Sequence, residues 1–485
     1  MQRILTAGFL RAREHWGLVL VLALSLALRV ATQVAYWPAL RFYDSFSYLH
    51  QADSGLFLNP FQPGGYPQIL RLVRLASSNL ALLSSLQHLG GLATGLMVYL
   101  LVWRTLGLKL LAAVGAAVVM LNARLIAVEQ YVMTDAFFTV MVTVSAALLI
   151  LASRRPALLS SGLLLGLACT VRPVGLFCIP VWIAFVLWRY RLSPTMLIGV
   201  LAVLLPVVLY AAMNDRETGH FSMTADTAWV AYGRVAPVAD CSKLTLPARQ
   251  RTLCPTPEQR QQSLTWFVLN GSSPAVRAFG SPSLKPPRAT ASTMLGFARR
   301  VALQRPLPVL GVIASDLLRY LTPAARAVDP DIDVAITLPK PGPLLRPPFR
   351  YSPSQRTPAG ALRAYASVFR VGGAELTLLL VLALVGLFSA RLSSVRSPTS
   401  QRAAVASLFG FGAALLLGAA LTVGYQRRYD LPSVPLLSAA GMIGVAGLAQ
   451  WVQRRRRQPS GATPSPLHGA AAGRGRRLPW RRTGR

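Results

Sequence analysis

Acidic side chains are scarce in this sequence. Only 16 Asp and Glu stand against 50 Lys and Arg, and charged residues of either sign make up just 14% of the chain. With 53% hydrophobic residues and a mean hydropathy of +0.46, so little charge excludes an ordinary soluble globular protein and points to a polytopic membrane protein. Histidine is rarer still, at 5 residues, with no HExxH motif and no cluster. The 4 cysteines follow no metal-ligand spacing. No metal or cofactor site is therefore expected, although a divalent ion is left open. Ten-residue stretches of alternating hydrophobicity are also missing, which excludes a membrane barrel and favours helices. No internal repeat is visible at any period.

The formal net charge of +34 would suit nucleic acid or anionic lipid, but no recognition module accompanies it. Nearly all of it is arginine, as a GC-rich coding bias would give. Much of it lies in the tail after Val452, in Arg454–Arg457, Arg474, Arg476 and Arg477. Nucleic-acid binding is set aside; membrane lipids are the expected surroundings.

Apolar runs fall at about 16–36, 80–103, 108–123, 136–152, 157–171, 173–188, 195–212, 374–390, 403–423 and 431–452. The expected fold class is an all-α polytopic membrane protein of about ten transmembrane helices. Arginines in the short connections (Arg3, Arg11 and Arg13; Arg104 with Lys109; Arg154 and Arg155; Arg189 and Arg191; Arg391, Arg396 and Arg402) fall on one side with the tail, so the positive-inside rule makes both termini cytoplasmic. Four regions follow: an N-terminal transmembrane catalytic module at 1–212 with its first external loop at 37–79, a long extracytoplasmic loop at 213–373, C-terminal transmembrane helices at 374–452, and a basic, disordered cytoplasmic tail at 453–485. In the first loop, Arg41–Leu56 and Pro67–Leu80 mix apolar and polar residues as interfacial amphipathic helices would. The long loop is rich in Pro, Ser and Arg and is expected to be extended, with local helices and no compact core. Within it, Cys241 and Cys254 suit a disulfide if the loop is exported; Cys169 and Cys178, in apolar helices, read as inert core residues.

The residues that could carry chemistry gather at outer helix ends. Tyr43-Asp44-Ser45-Phe46-Ser47-Tyr48 follows the first apolar run, whose only charge is Arg29. An interfacial tyrosine is ordinary anchoring; an aspartate at the mouth of a membrane helix can meet a lipid-borne substrate and an aqueous reactant at once. Glu129 and Asp135, six residues apart, belong to the short turn that begins at 122, where a carboxylate is costly unless wet or paired, although Thr134 or Asp135 could simply cap the next helix. Val171-Arg172-Pro173-Val174-Gly175 joins two short apolar helices, and Arg172 can pair with a carboxylate or a phosphate. Tyr425-Gln426-Arg427-Arg428-Tyr429-Asp430-Leu431-Pro432 places two arginines against the positive-inside trend, which an anionic ligand would explain.

An early Asp in the first external loop, the PGYP-like Phe61-Gln62-Pro63-Gly64-Gly65-Tyr66-Pro67, the Thr134-Asp135 turn, the Arg-Pro-x-Gly hairpin and the late Arg-Tyr-x-Leu-Pro turn occur in that order. Together they resemble the GT-C superfamily of polytopic glycosyltransferases, in the branch of protein O-mannosyltransferases and the lipid A aminoarabinose transferase. The likeness covers about 16–190 and 403–440. It implies an enzyme of the bacterial plasma membrane that moves a hexosyl or pentosyl group from a polyprenyl-phosphate sugar to a lipid, glycan or protein acceptor on the outer face, usually with inversion. It also implies that Asp44 is the general base, that Asp135 is an acidic residue shaping the catalytic site, and that Arg427, Arg428 and Tyr429 hold the donor. Tyr48, Glu129, Arg41 and Arg172 complete the expected substrate-binding set. Ser45 replaces a second acidic residue common in the family, which weakens the case for a metal, and Gln62 stands where one branch has a phosphate-binding lysine. That leaves the phosphate to Arg41, Arg172, Arg427 and Arg428. The alternative from another class is a transporter or flippase of polyprenyl-linked sugars, against which the absence of paired half-repeats counts.

Overall fold

The structure is a computed structural model that describes residues 14–151, 154–322, 354–355, 358–389 and 398–457. Arg3, Arg11, Arg13, Arg391, Arg396, the middle of the long loop and the arginine tail beyond 457 lie outside the described residues. Apart from a two-residue pairing of Tyr36–Trp37 with Ser354–Gln355, the architecture is helical.

Seven helices are long and apolar enough to cross a membrane: Trp16–Ala35, Leu80–Leu106, Thr134–Leu151, Pro173–Tyr190, Pro194–Thr218, Gln401–Thr422 and Leu431–Ala449. The count rises to at most nine if each of two bent helix pairs is one span, so the expected ten is not reached among the described residues. The reason is local. The 108–123 run breaks at Leu121 into Lys109–Met120 and Ala123–Gln130, bent by 48°. The 157–171 and 374–390 runs form helices of only 17 and 16 residues, Arg155–Val171 and Ala374–Ser389. Boundaries follow ordinary capping chemistry. The Asn79 side chain accepts from the Ala81 N–H at the start of Leu80–Leu106, and Gly107 ends that helix in the left-handed region at φ 76°.

The one charge in the first apolar run has its explanation inside the bundle. Arg29, 2% exposed, donates to Glu129 Oε1 at 2.8 Å and to the Met120 carbonyl at 2.8 Å. The other Glu129 oxygen meets His88 Nδ1 at 2.9 Å, and His88 Nε2 faces Gln130 Oε1 at 2.8 Å. Glycine at position 91 makes room for this cluster, because a Cβ there would collide with the Glu129 carboxylate. Truncating one member of a buried pair strands its partner at a cost of about 3–5 kcal/mol. Glu129→Ala is therefore expected to lower the thermal unfolding temperature of the purified protein sharply. An unchanged melting curve would show that the network does not hold the bundle.

The long loop departs from the expected extended chain. Trp229, Tyr232, Phe267, Met294, Phe297 and Val301 form a second core, separate from that of the bundle. It is assembled from short helices, Thr227–Val235, Leu264–Leu269 and Arg288–Gln304, separated by proline-rich turns. Pro237 and Pro306 stand just beyond the first and third of these helices, yet the aromatic residues between the prolines bury enough surface to pack. Cys241 and Cys254 are joined by a disulfide at the edge of this core, and Cys169 and Cys178 are buried free thiols. The following helix, Pro306–Leu321, turns by 97° and packs on the start of the turn that carries Arg428, where Tyr320 donates to the Gly424 carbonyl at 3.1 Å.

Candidate functional site

The first loop and the Asn122–Thr134 turn are joined backbone to backbone. The Leu40 N–H donates to Gln130 O at 2.8 Å, and the Val132 N–H donates to Leu40 O at 2.9 Å. Ser45, next to Asp44, serves this junction. Its hydroxyl accepts from the Phe42 N–H and donates to the Val132 carbonyl, each at 2.8 Å. It thereby starts the Tyr43–Ser54 helix and fixes Asp44 in its first turn. The Gly64-Gly65 pair lets the next helix, Gly65–Ala76, press against the end of Arg155–Val171, since a Cβ on Gly65 would clash with the Thr170 carbonyl. Three chain segments distant in sequence so converge at one end of the bundle.

There Asp44 and Arg428 form an ion pair, Oδ2 to Nη2 at 2.7 Å, with side chains 19% and 12% exposed. Gln62 donates to the other Asp44 oxygen at 3.1 Å. Arg172 pairs with Asp135, which is fully buried, and the Arg172 guanidinium lies 4.4 Å from the Tyr429 ring centre. Arg428 lies 5.3 Å from the same ring and 5.2 Å from that of Phe42. The Tyr429 ring attracts both guanidiniums by cation–π contact, which offsets part of their mutual repulsion. The turn that carries Arg428 is anchored by Asp430, whose two oxygens accept from Arg124 at 2.7 and 2.8 Å.

These groups border a cavity of about 800 Å³. Asp44, Tyr48, Gln62, Thr134, Arg172, Gln426, Arg428 and Tyr429 line its polar part. Val207, Ala211, Phe177, Leu415 and Ala419, all from helices of membrane-spanning length, line an apolar part. Met223, Asp226, Val230, Leu264 and Val268 of the long loop supply a further wall. Tyr48 is buried edge-on against Tyr66, and burial raises its phenol above the usual range, so it stays protonated and can only act as a neutral hydrogen-bonding group.

Not every residue singled out in the sequence reaches this cavity. Asp135 lies behind Arg172 and is not among the lining residues, a placement suited to orienting the arginine rather than touching a substrate. Asp135 does not cap the helix: it sits inside the first turn and its side chain goes to Arg172. Glu129 is spent on Arg29 and His88, so an expected substrate contact has no support in its position. Arg41 lies over the Phe46 ring at 5.9 Å, outside the lining, and Arg427 contributes its backbone carbonyl to Arg124. Sequence reading missed Arg124, Gln62 as the partner of Asp44, and Asp226. Arg124 sits at the end of an apolar run and Asp226 in the long loop, and no motif marks either out. Among the described residues, no group of three or more His, Cys, Asp or Glu could hold a metal ion.

No protein-family model matches the chain, and no curated protein matches it. Among solved structures it is similar to archaeal oligosaccharyltransferase AglB from Archaeoglobus fulgidus, in complex with an inhibitory peptide and a dolichol-phosphate, at 14% identity and a TM-score of 0.44, over 94% of this chain and 53% of that one. The chain spans about half the length of that protein. It is also similar to ArnT from Cupriavidus metallidurans bound to undecaprenyl phosphate, at 16% identity and a TM-score of 0.35, over 83% of this chain and 77% of that one.

Proposed function

We propose that the protein is a membrane glycosyltransferase that moves a sugar from a polyprenyl-phosphate carrier to an acceptor hydroxyl or amine at the outer end of the bundle. One observation carries the reading. A single cavity joins apolar walls from membrane-length helices to a carboxylate and two arginines, which is what a substrate with a lipid tail and a phosphate head requires. The donor class and the outward orientation follow the motif resemblance.

In this reading Arg428 and Arg172 take the carrier phosphate, Arg428 exchanging its bond to Asp44 for one to a phosphate oxygen. That exchange releases Asp44 to accept the acceptor's proton as its oxygen or nitrogen attacks the anomeric carbon. The bond from that carbon to the phosphate oxygen breaks, and the electron pair leaves on a phosphate held by fixed positive charge. Attack opposite the leaving group inverts the anomeric centre. Asp135 keeps Arg172 in place, and Tyr429 stacks beneath both cations.

The test is transfer by the purified full chain from a panel of radiolabelled polyprenyl-phosphate hexoses and pentoses to extracted envelope lipids, glycans and proteins. The label is expected to leave the carrier and appear in one acceptor class. Labelled carrier crossing the bilayer of reconstituted vesicles with no transfer would replace this reading with a transporter.

A further inference from the structure

The Thr227–Val235 helix begins with an aspartate that does not cap it. Asp226 occupies the N-cap position, and its backbone carbonyl accepts from the Trp229 and Val230 N–H groups at 2.8 and 3.1 Å. Its side chain makes no cap hydrogen bond, although aspartate is among the best residues for that task. The backbone is pinned by its own N–H, which donates to the Pro60 carbonyl at 3.1 Å, two residues before Gln62. The residue is only 2% exposed, it lines the cavity, and its Oδ2 has no hydrogen-bond partner.

A buried carboxylate oxygen without a partner is costly, and the usual remedy, the helix start beside it, is not used. Burial pushes the Asp226 pKa up to about 7, with Thr224 and a backbone hydrogen bond opposing the rise. Near neutral pH the group can therefore accept a hydrogen bond as a carboxylate or donate one as an acid. No ion pair to Asp226 occurs among the described residues, which separates it from Asp44 and Asp135, each committed to an arginine.

We infer that Asp226 is the hydroxyl receptor of the cavity, binding a sugar hydroxyl through the oxygen that the protein leaves unpaired. The inference rests on the glycosyltransferase reading and adds to it a residue from the long loop, which would make that loop part of substrate selection. Phosphate is a poor candidate for this spot, because a carboxylate repels it and both lining arginines already belong to the Asp44 side of the site. The hydroxyl can come from the sugar of the donor or from a glycan acceptor, and kinetics separate the two.

The experiment compares binding of undecaprenyl phosphate with binding of undecaprenyl-phosphate hexoses and pentoses to the purified full chain, in wild type, Asp226→Leu and Asp226→Asn. Asn keeps the volume and removes the buried charge, so it guards against a folding failure. The wild type is expected to bind at least one glycosylated carrier more tightly than the bare one. Asp226→Leu should weaken that glycosylated carrier by about tenfold or more, the loss of one hydrogen bond to a charged group, with Asn intermediate. Bare undecaprenyl phosphate should bind within about twofold of wild type, since it has no hydroxyl to lose. If donor binding holds and the acceptor KM rises instead by a similar factor, the hydroxyl belongs to the acceptor. Variants that leave both substrates unaffected, or that weaken bare and glycosylated carrier equally, would overturn the assignment. A wild-type protein that binds no undecaprenyl phosphate at all would overturn the glycosyltransferase reading first, and this one with it.

Discussion

Asp44→Asn is expected to reduce transfer by a factor of about 10²–10⁴ or more, the usual contribution of a positioned general base. The amide is nearly isosteric and can still meet Gln62 and the Arg428 guanidinium, so the first-loop junction built by Ser45 should survive. What it cannot do is take a proton. It also leaves the Arg428 charge without its counter-ion, which should keep donor affinity at the wild-type level or tighten it. The signature is thus a collapse of kcat with donor KM unchanged or lower, read in single-turnover assays with labelled donor. Transfer near the wild-type rate would remove Asp44 from the mechanism.

Why Asp44 could be picked out from sequence while its partner could not is a matter of cost and distance. In a chain with so few acids, a carboxylate at the mouth of an apolar run is expensive enough to demand a reason. The same logic exposed Asp135, while Arg172 stood out in its hairpin and Arg428 by its departure from the positive-inside trend. Which of them meet was hidden, because Asp135 and Arg172 are 37 positions apart and Asp44 and Arg428 are 384 apart. The logic also misled once: Glu129 has its reason in Arg29, 100 positions earlier, and not in a substrate. The helical class was legible from run length and composition. The number of spans was not, since apolar content does not reveal a break such as that after Met120. The second core escaped for a different reason. Its aromatic residues are scattered over three helices of 9, 6 and 17 residues, and the proline and arginine around them read as loop. Asp226 was invisible within that same stretch, where one more carboxylate in polar surroundings costs nothing until the fold buries it.

Arg428→Gln is expected to raise the donor KM by about tenfold or more and to lower kcat as well, because a charge-assisted bond to phosphate is worth most as charge develops on the leaving group. The guanidinium is placed for that by three contacts: Asp44 at 2.7 Å, the Tyr429 ring and the Phe42 ring. A neutral glutamine keeps a hydrogen-bond donor near Asp44 but supplies no charge, and it leaves the partly buried carboxylate with Gln62 alone. Part of any loss would then come from the stranded Asp44 rather than from the missing phosphate contact. The double variant Asp44→Asn with Arg428→Gln separates the two causes. It restores charge balance, so thermal stability lost in Arg428→Gln should return, while donor affinity should not. Acceptor KM should stay near wild type in the single variant, because in the proposed mechanism this pair deprotonates the acceptor and does not grip it. An Arg428→Gln enzyme impaired only toward its acceptor would move the phosphate to Arg172, which shares the Tyr429 ring and lines the same cavity.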